Sequence, residues 1–522
     1  MIESSAEYNN AVTATARRTY LRAVVDIIST PSAYGSITGT GQASYSKPEQ
    51  THDLTFDVMQ KFSTLELNRI LLDGSYDPLP EETDAQIGYV GAALSGSDGS
   101  FETAQVINLP IEGLEVLKAF SLYFSDNPMD GVAKSVKIEI MSGDTAAYTK
   151  EVSDNTASSI VQSNFYAESP TAIRITVYSW TLPHRRVRII EILPGLHDTW
   201  GSDMLASFTA TQQTNFSGVT LPYGTCTLEI DNSDEQFEPR NKSGVFKSLE
   251  ERHSIAAQIG IKLPSGAIEY KPIGKFYHFS GGWSTGNNGL TIQWDFVDIL
   301  GLITDRTFFP PETLPTTLSG WVASIMSTLG EDFADQYIIS DGLAGMELTA
   351  TDVSGKKCGD LLASLAMAAS AWCHADAETG KVAIETLPSA GKSVTLGNLT
   401  AYPTTSANSD VGKIVFNLAD GVGTQVVFDG NDPASSGQIT IDNPFIHTAE
   451  AAQTAAAYVL SFYGGNLVTT DGRGDPASEV GDLDTIELAK GNVITGRRQM
   501  QSFVFNGGVM RGCQSKFLEV DA

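Results

Sequence analysis

Short runs of alternating apolar and polar residues, each closed by glycine, proline, asparagine or aspartate, follow one another along most of the chain. These runs are rich in the β-branched and aromatic residues that strands prefer. The 48 glycines and 21 prolines are spread throughout as turn residues. The pattern predicts a mainly β protein with some α-helix, built from several β-barrel or β-sandwich domains with peripheral helices. The runs are 19–28, 136–140, 173–178, 187–192, 225–230, 255–261, 290–296 and 411–416.

Helical periodicity is confined to three segments, 318–329, 358–373 and 448–463. The third follows a proline and has Thr448 where an N-cap belongs, and two glycines end it. In the first two segments the leucines and methionines form stripes of the kind that face a core. We therefore expect 318–329 and 358–373 to pack their apolar faces within the subunit.

Changes in composition divide the chain, which at 522 residues is long enough for several domains. A polar linker is predicted near 78–84, where Pro78, Pro80, Glu81, Glu82 and Asp84 cluster, and a second boundary at Pro194-Gly195. The segment between them reads as a self-contained β-sandwich inserted into a β-rich host. The predicted domains are 1–84 (first part of a barrel domain), 85–193 (an inserted jelly roll), 194–305 (continuation of the barrel), 306–400 (an α+β domain) and 401–522 (a C-terminal domain with helix 448–463 and closing strands).

The chain is strongly acidic, with 33 Lys and Arg against 62 Asp and Glu and a formal net charge of −29. An acidic surface repels phosphate backbones, so sequence-specific nucleic-acid binding is not expected. The four cysteines stand far apart without a CxxC pair, so we interpret them as small buried apolar residues. They are Cys226, Cys358, Cys373 and Cys513.

Neither a membrane span nor a secretory signal is expected. The longest uncharged apolar stretch, 361–373, has 13 residues, fewer than the roughly 20 that a spanning helix needs. The first five residues lack a basic region followed by an apolar core. We expect synthesis in a cytoplasm.

Three short motifs suggest chemistry that their context does not support. Gly282-Trp283-Ser284-Thr285-Gly286 matches GxSxG, but a nucleophile elbow needs a strand running into a helix. Here we expect a hairpin loop between two strands. Gly391-Lys392-Ser393 resembles the end of a phosphate-binding loop, but Thr386 stands where its first glycine belongs and no helix is predicted to follow. The acidic turn of Asp231, Asp234 and Glu235 has Gln236 instead of the glycine of an EF-hand loop.

A dense basic patch, His184, Arg185, Arg186 and Arg188, has two readings. On a strand, Arg186 and Arg188 would share a face. They would either anchor an acidic neighbouring subunit or solvate an edge strand, and we favour the second. The seven histidines are isolated and no HExxH occurs. We therefore predict no catalytic, cofactor-binding or metal-binding residues, and no enzyme.

Three stretches together resemble the tail hub family of bacteriophages and related contractile particles, which includes the myophage baseplate hub and the N-terminal hub ring of siphophage tail-associated proteins. The first is 226–241, in which a strand ends in an Asx-type turn and Phe237 is expected to pack back into the barrel. The second is 358–372 with Asp376, Gly380 and the strand 381–385. The third is Asn443-Pro444, the alanine-rich helix, Gly474-Asp475-Pro476 and Glu479-Val480-Gly481-Asp482, and it is the most specific.

This third stretch also gives Arg473-Gly474-Asp475 a structural interpretation, a turn between helix and barrel strand, in place of a cell-adhesion tripeptide. The inserted segment 85–193 instead resembles a discoidin-like or carbohydrate-binding jelly roll. Its strand 186–192 carries that likeness, and a sugar or calcium motif is not recognisable in it.

The resemblance implies a structural homotrimer at the tail tip or baseplate of a virion, assembled in the bacterial cytoplasm. The ring would join the tail tube and distal tail protein to the tape measure protein and to tail fibre or tip proteins, and would open for DNA ejection. An acidic lumen suits this role, because it would let DNA slide without sticking.

Alternatives remain open. The chain could be the distal tail protein, a hexamer, although the Gly-Asp-Pro and Glu-x-Gly-Asp block argues against that. It could also be a baseplate component that attaches to a host cell-surface glycan through 85–193, where exposed Tyr and Trp in one patch would favour sugar binding. A peptidoglycan hydrolase is disfavoured, since neither an acid pair nor a zinc triad is recognisable.

Overall fold

The computed structural model describes residues 2–59, 62, 64, 66–67, 69, 85–250, 252–286, 289–350, 352–409, 411–418, 423–428 and 437–520. Strands account for 46% and helices for 14% of the structure, which confirms the predicted mainly β class. Within these residues the sheets are open and do not close into the expected barrels. The predicted linker at 78–84 lies outside the described residues.

Each of the eight alternating runs falls on a strand, because alternation is a local property of a half-buried strand. Several strands are longer than their runs, above all the one over 187–192, which extends to Trp200. In chain order the strands are β1 (Thr19–Ile28), β2 (Ala33–Tyr34), β3 (Thr38–Gly39), β4 (Tyr89–Leu94), β5 (Ser100–Glu112), β6 (Val116–Leu117), β7 (Phe120–Phe124), β8 (Ala133–Ser142), β9 (Thr145–Val152), β10 (Ser159–Gln162), β11 (Ala167–Glu168), β12 (Ala172–Trp180), β13 (Arg186–Trp200), β14 (Leu205–Gln213), β15 (Thr225–Asp231), β16 (Ser254–Lys262), β17 (Ile268–Gly286), β18 (Thr291–Val297), β19 (Tyr337–Ile339), β20 (Trp372–Ala375), β21 (Val382–Glu385), β22 (Ser393–Val394), β23 (Thr404–Ala407), β24 (Val411–Leu418), β25 (Gly423–Phe428), β26 (Gly437–Asp442), β27 (Asn466–Gly472), β28 (Leu483–Glu487), β29 (Val493–Asn506) and β30 (Val509–Glu519).

The α-helices are short. They are α1 (Ala6–Thr13), α2 (Ile299–Ile303), α3 (Leu318–Met326), α4 (Cys358–Ala368) and α5 (Ala449–Leu460). Single 3₁₀ turns occupy Pro48–His52, Val245–Ser248, Ser327–Leu329, Glu331–Phe333, Leu396–Asn398 and Ala489–Gly491. Helices α3, α4 and α5 confirm the three predicted segments.

Two predicted ends are wrong. Helix α5 stops at Leu460, three residues before the predicted end at 463. Helix α4 stops at Ala368, and Ser370 takes a left-handed backbone conformation with φ 51°. A residue in that conformation ends a helix. The chain then enters strand β20 at Trp372, so the last five predicted helical residues are not helical. Helices α1 and α2 were not predicted.

The chain forms two compact units. Unit 1 contains 1–24, 199–231 and 250–522, and unit 2 contains 25–198 and 232–249. The chain passes between them within β1 and β13 and at residues 231–232 and 249–250.

Unit 1 is built on a long, mostly antiparallel sheet. Its strand order is β1-β16-β17-β18-β15-β14-β29-β30-β27-β23, with β28 beside β29 and β22 beside β28. Two three-stranded sheets, β19-β21-β20 and β25-β24-β26, complete the unit. Helices α2, α3 and α4 bury their apolar faces in one core, in which Trp321 of α3 and Leu362 of α4 lie together with Ile384 of β21. This confirms that α3 and α4 pack within the subunit.

Unit 2 is a sandwich of antiparallel sheets. One sheet has the order β2-β5-β12-β8-β9, with β3 beside β5, and in the other β7 lies between β10 and β13. Inward residues of the first sheet, among them Ile138 and Ile175, share a core with Leu122 and Ile189 of the second. Two sheets that each have one apolar face are stable only when those faces cover each other.

Candidate functional site

The GxSxG motif lies in strand β17, which forms a hairpin with β18, so the predicted hairpin is confirmed but the motif is not in its loop. Ser284 is in β17, exposed, and opposite Gln293 of β18. The serine of a nucleophile elbow instead sits on a turn between a strand and a helix, so the backbone here does not present Ser284 as a nucleophile. The described part of the chain has no group of three or more His, Cys, Asp or Glu side chains arranged to hold a metal ion.

Lys392 of the Gly391-Lys392-Ser393 motif leads into strand β22. Its backbone N–H donates to Asp484 Oδ1 at 2.6 Å, so the segment has a structural role within unit 1. The four cysteines are buried and unbridged, in agreement with their interpretation as apolar residues. No helix among the described residues has the length and apolarity that crossing a bilayer requires.

The Arg473-Gly474-Asp475 turn is held by the N-terminal region of the chain. Arg17 donates from Nη1 to the carbonyl of Gly474 at 2.7 Å and from Nη2 to the carbonyl of Arg473. Arg473 in turn donates to the carbonyl of Ala14 at 2.8 Å. The turn directly follows strand β27, so the prediction that it joins a helix to a strand is wrong. The backbone carbonyls of Arg473 and Gly474 and the Arg473 side chain are thus engaged in hydrogen bonds to the N-terminal region.

Asp475 receives the hydroxyl of Tyr8 at 3.0 Å and the N–H of Ala477 at 2.9 Å. Tyr8 is fully buried, and Ser5 caps its helix α1 by accepting the N–H of Tyr8. Burial, and then the Asp475 charge, raise the pKa of Tyr8 above its ordinary value. Burial, followed by repulsion from Arg473, lowers the pKa of Arg17 to about 10. At neutral pH Tyr8 therefore stays a donor and Arg17 stays charged.

Gly481, in the Glu-x-Gly-Asp part of the third stretch, allows a close contact between two segments. Its φ is 94°, and a Cβ there would lie 2.6 Å from the Trp372 ring. The Gly481 N–H donates to the carbonyl of Arg498, and Arg498 N–H donates to the carbonyl of Asp482. The buried Asp482 carboxylate accepts the N–H of Glu479 at 2.9 Å. Only glycine permits this backbone position so near an indole ring.

A buried ion pair lies beside this turn. Arg498 Nη2 and Asp484 Oδ2 are 2.7 Å apart, with both side chains almost fully buried. Arg498 also donates to Ser515 at 2.8 Å. Burial raises the pKa of Asp484, while Arg498 opposes that shift. A charge taken out of water needs such partners, so each side chain depends on the other.

A cavity of about 60 Å³ lies between helix α1 and these strands. Its lining includes Val12, Thr13, Asp475, Ser478 and Arg498. That volume suits a few water molecules and is far below the roughly 300 Å³ of a small-molecule site. The third stretch therefore forms a packed structural junction.

The second and third stretches also meet. Asn443 donates from Nδ2 to the carbonyl of Ser364 in α4 at 2.8 Å, and its Oδ1 accepts the N–H of Phe445 at 2.9 Å. Thr448 caps α5 by accepting the N–H of Ala451, as predicted. The Asn-Pro turn thus fixes where α5 begins relative to α4.

In the first stretch, Asp234 Oδ1 accepts the N–H of Gln236, two residues on, at 3.1 Å, which confirms an Asx-type turn. Asn232 Oδ1 accepts the N–H of Phe237 at 2.8 Å, and Phe237 is buried. Residues 232–249 belong to unit 2, where Asn164 bonds Asn241 and the carbonyl of Asp234, both at 2.9 Å. The acidic turn after β15 thus anchors this segment.

The basic patch is not a solvated edge, so the favoured reading is wrong. Arg188 is 3% exposed and lies 2.6 Å from Asp130, which also pairs with the buried Arg69 at 2.6 Å. Arg186 N–H donates to Glu66 at 2.8 Å. Arg186 and Arg188 line one small cavity with these groups, consistent with a shared face. Strand β13 is not an edge strand, because it pairs with β4 and β7.

The aromatic side chains of 85–193 differ widely in exposure. Trp180 and Tyr89 are buried, and Tyr148 is stacked on Phe165 with 4.1 Å between ring centroids. Tyr166 and Tyr178 are 46% and 43% exposed. The tryptophan that a sugar ring would stack on is therefore inside the sandwich.

Sequence reasoning missed the partners that hold these motifs, namely Tyr8, Arg17, Asp484, Arg498 and Arg69. One signal was present in β28 and β29. Asp484 and Arg498 both occur at positions that alternate inward with apolar neighbours, and an inward charge in a strand needs an opposite charge across the sheet.

No protein-family model matches the chain, and no curated protein matches it. Among solved structures, the chain is similar to the tail protein from Neisseria meningitidis MC58, with 11% identity, 63% of this chain and 94% of that chain covered, and a TM-score of 0.44. It is also similar to the prophage MuSo2 43 kDa tail protein from Shewanella oneidensis (15% identity, 62% and 95% covered, TM-score 0.39). A third is the prophage tail protein gp18 from Listeria monocytogenes EGD-e (9% identity, 63% and 92% covered, TM-score 0.40). Likeness at this level does not assign an activity.

Proposed function

We propose that this chain is a structural tail hub of a bacteriophage or phage-like particle. It forms a homotrimeric ring at the tail tip or baseplate and lets DNA pass. One observation supports this proposal above the others. The residues of the third stretch, which resembles hub proteins most specifically, all lie in one packed junction in unit 1. Asp475 bonds Tyr8, Gly481 faces Trp372, and Asn443 joins α5 to α4.

The uses of the motif residues support a structural role. Asp475 and Arg473 are engaged in bonds to the N-terminal region, and Ser284 is in a strand of a hairpin. A ring component must hold its shape while other proteins and DNA exert force on it, and buried ion pairs and tight glycine turns fix backbone positions.

Charge supports passage of DNA. Three copies of a chain with net charge −29 carry −87. At that density like charges repel, so subunit contacts must rely on apolar and backbone pairing with local ion pairs. Acidic side chains facing the lumen would keep DNA phosphates from binding. In this ring the distal tail protein, the tape measure protein and tail fibre or tip proteins are the expected neighbours.

Two alternatives make different predictions. A distal tail protein would occur in six copies. A glycan-binding baseplate component would use unit 2, where the exposed Tyr166 and Tyr178 offer aromatic surface, although Trp180 is buried.

The test is a reconstruction of the assembled tail tip. The expected result is three copies of this chain around a channel with an acidic inner surface. Six copies would assign the chain to the distal tail protein, and a basic lumen would contradict the charge argument. Binding of the purified chain to a glycan array, lost when both exposed tyrosines are replaced, would favour the glycan alternative.

A further inference from the structure

The small cavity beside strand β13 in unit 2 has a charged lining. It encloses about 10 Å³. Three arginines line it, Arg69, Arg186 and Arg188, together with two acidic residues, Glu66 and Asp130. Three positive charges against two negative ones leave one positive charge in excess. A charge that is removed from water is stable only with a compensating partner, so the lining favours a further negative group.

The two carboxylates of the lining already have donors. Asp130 pairs with Arg69 and Arg188, at 2.6 Å in each case. Glu66 accepts the hydroxyl of Thr64 and the backbone N–H of Arg186, the latter at 2.8 Å. These bonds hold the charged side chains in fixed positions around the cavity, and they do not involve the donors described next.

Two donor groups of the lining have no acceptor among the described residues. They are the hydroxyl of Tyr45 and the Nε–H of Arg186, and both atoms are buried. Burial, and then the Glu66 charge, raise the pKa of Tyr45, while the arginines of the lining oppose that shift. The Tyr45 hydroxyl therefore faces this cluster and keeps its proton at neutral pH. A buried donor without an acceptor destabilises the fold, so both groups require an acceptor inside the cavity.

The size and charge of the cavity restrict what this acceptor can be. A cavity needs about 10–15 Å³ to hold one water molecule, so this one has room for a single water or a halide ion. Sulfate, phosphate and organic carboxylates are larger than that. A halide accepts from both donors and also offsets the excess positive charge, whereas a water molecule is neutral and leaves that charge unchanged.

We propose that this cavity binds one chloride ion, held by the hydroxyl of Tyr45 and the Nε–H of Arg186. The ion supplies the acceptor that both donors lack and balances the charge of the lining. It also connects the segment before β4, which contains Tyr45, to strand β13, so its binding stabilises unit 2. The site lies within unit 2 and is independent of the proposed hub function.

The first test measures hydrogen exchange of the full chain by mass spectrometry, in sodium chloride and in sodium gluconate at equal concentration. Gluconate gives the same ionic strength and is too large for the cavity. A ligand that binds only the folded state multiplies the folded-to-unfolded ratio by 1 + [L]/Kd. Chloride at ten times its Kd should therefore slow exchange of the core amides of β8 and β12 about 11-fold. Amides of β29, in unit 1, should exchange at the same rate in both salts.

Two matched variants separate chloride binding from general salt effects. Tyr45→Phe and Tyr166→Phe each remove one hydroxyl and no charge, but Tyr166 is 46% exposed and does not line the cavity. Tyr166→Phe should keep the chloride response, and Tyr45→Phe should lose it. In gluconate Tyr45→Phe should be at least as stable as the wild type, because it lacks a buried hydroxyl without an acceptor. Arg186→Lys keeps the charge without the Nε–H and should weaken the response.

A crystal of the chain soaked in sodium bromide locates the ion, since bromide scatters X-rays anomalously. The expected result is one anomalous peak within hydrogen-bond distance of Tyr45 Oη and Arg186 Nε. Equal exchange in the two salts would contradict the proposal and assign the cavity to a water molecule. A chloride response that Tyr45→Phe retains would place the ion elsewhere. A bromide peak without a chloride effect on exchange would mean an adventitious ion only.

Discussion

The hydroxyl of Tyr8 donates to the carboxylate of Asp475 at 3.0 Å, across 467 positions of sequence. This bond joins helix α1 to the turn that follows β27. Ala477 packs in the same small core as Tyr8, and its carbonyl accepts the N–H of Ile2 at 3.2 Å. The N-terminal helix and a turn near the C-terminal end of the chain are therefore parts of the same junction.

Replacement of Tyr8 by Phe should lower the free energy of unfolding of unit 1 by about 1.5–3 kcal/mol, because a hydrogen bond to a charged acceptor is lost in a buried place. Urea unfolding measured by tryptophan fluorescence would show this. Tyr178→Phe is the control, since Tyr178 is 43% exposed in unit 2 and should unfold like the wild type. Equal stability of Tyr8→Phe and the wild type would mean that the bond does not form in solution.

Breaking the Arg498–Asp484 pair should lower the free energy of unfolding strongly, whereas replacing both residues by apolar ones should lower it less. Arg498→Met leaves the buried Asp484 charge uncompensated and should lose about 3–5 kcal/mol of stability. The double variant Arg498→Met with Asp484→Leu should lose less than Arg498→Met alone. The exposed pair Lys357–Asp305 has the same 2.7 Å separation, and breaking it should cost at most about 1 kcal/mol. Chemical denaturation of the four chains tests this order.

Replacing glycine by alanine can destabilise a protein through backbone strain and through a clash of the new Cβ. Comparison of Gly481 with Gly281 distinguishes these two effects. Their φ values are 94° and 92°, so alanine at either position suffers similar backbone strain of about 1–2 kcal/mol. Only at Gly481 would the new Cβ also meet the Trp372 ring, at 2.6 Å, whereas nothing lies within 4 Å at Gly281. Gly481→Ala should therefore be the less stable variant in thermal unfolding. Equal loss at both positions would show that the ring moves away freely.

Unit 2 should become less stable as pH rises, through Glu191. This side chain is fully buried in β13, and burial, followed by the Asp53 charge, raises its pKa from 4.5 to about 9. The folded state thus holds a proton that the unfolded chain releases. Its contribution to stability is complete below about pH 4.5 and declines up to about pH 9, by at most about 1.4 kcal/mol per pH unit.

Glu191→Gln removes that titration, so its stability should vary less between pH 5 and pH 9 and should exceed the wild type at pH 8. Unfolding followed by circular dichroism over this range measures the difference. Parallel pH profiles for the two chains would contradict a protonated Glu191.

The purified chain should release no products from peptidoglycan or from nitrophenyl esters. Ser284 is in a paired strand, and among the described residues its hydroxyl has no hydrogen bond to a side chain that could act as a general base. Hydrolysis that disappeared in Ser284→Ala would overturn this expectation.

The strands were predictable because alternation is local. Runs such as 19–28 reveal which face is buried without reference to any other segment, and β1 has these bounds. The N-cap of α5 was predictable for the same reason, since Thr448 and Ala451 are three positions apart.

The junctions were not predictable, because their partners are far apart in sequence. Arg17 bonds the carbonyl of a residue 456 positions away, and Asp130 binds arginines 61 and 58 positions away. Before the topology is known, Arg188 is one charge in a basic run, and the simplest prediction is that its side chain is exposed to solvent. The structure shows it buried because the Asp130 carboxylate and the carbonyls of Ile87 and Met59 surround its guanidinium.

The discontinuity of unit 1 has a consequence for synthesis on the ribosome. Unit 2 has all of its residues once position 249 has been made, whereas α1 must wait for Asp475 and for the strands around it. Position 475 is made 226 residues after position 249, so at ordinary elongation rates of roughly 5–20 residues per second this interval is roughly 10–45 seconds. During that time the nascent chain carries a finished sandwich and an unclosed remainder. Only a chain translated through β30 can complete unit 1, because β30 pairs with both β27 and β29.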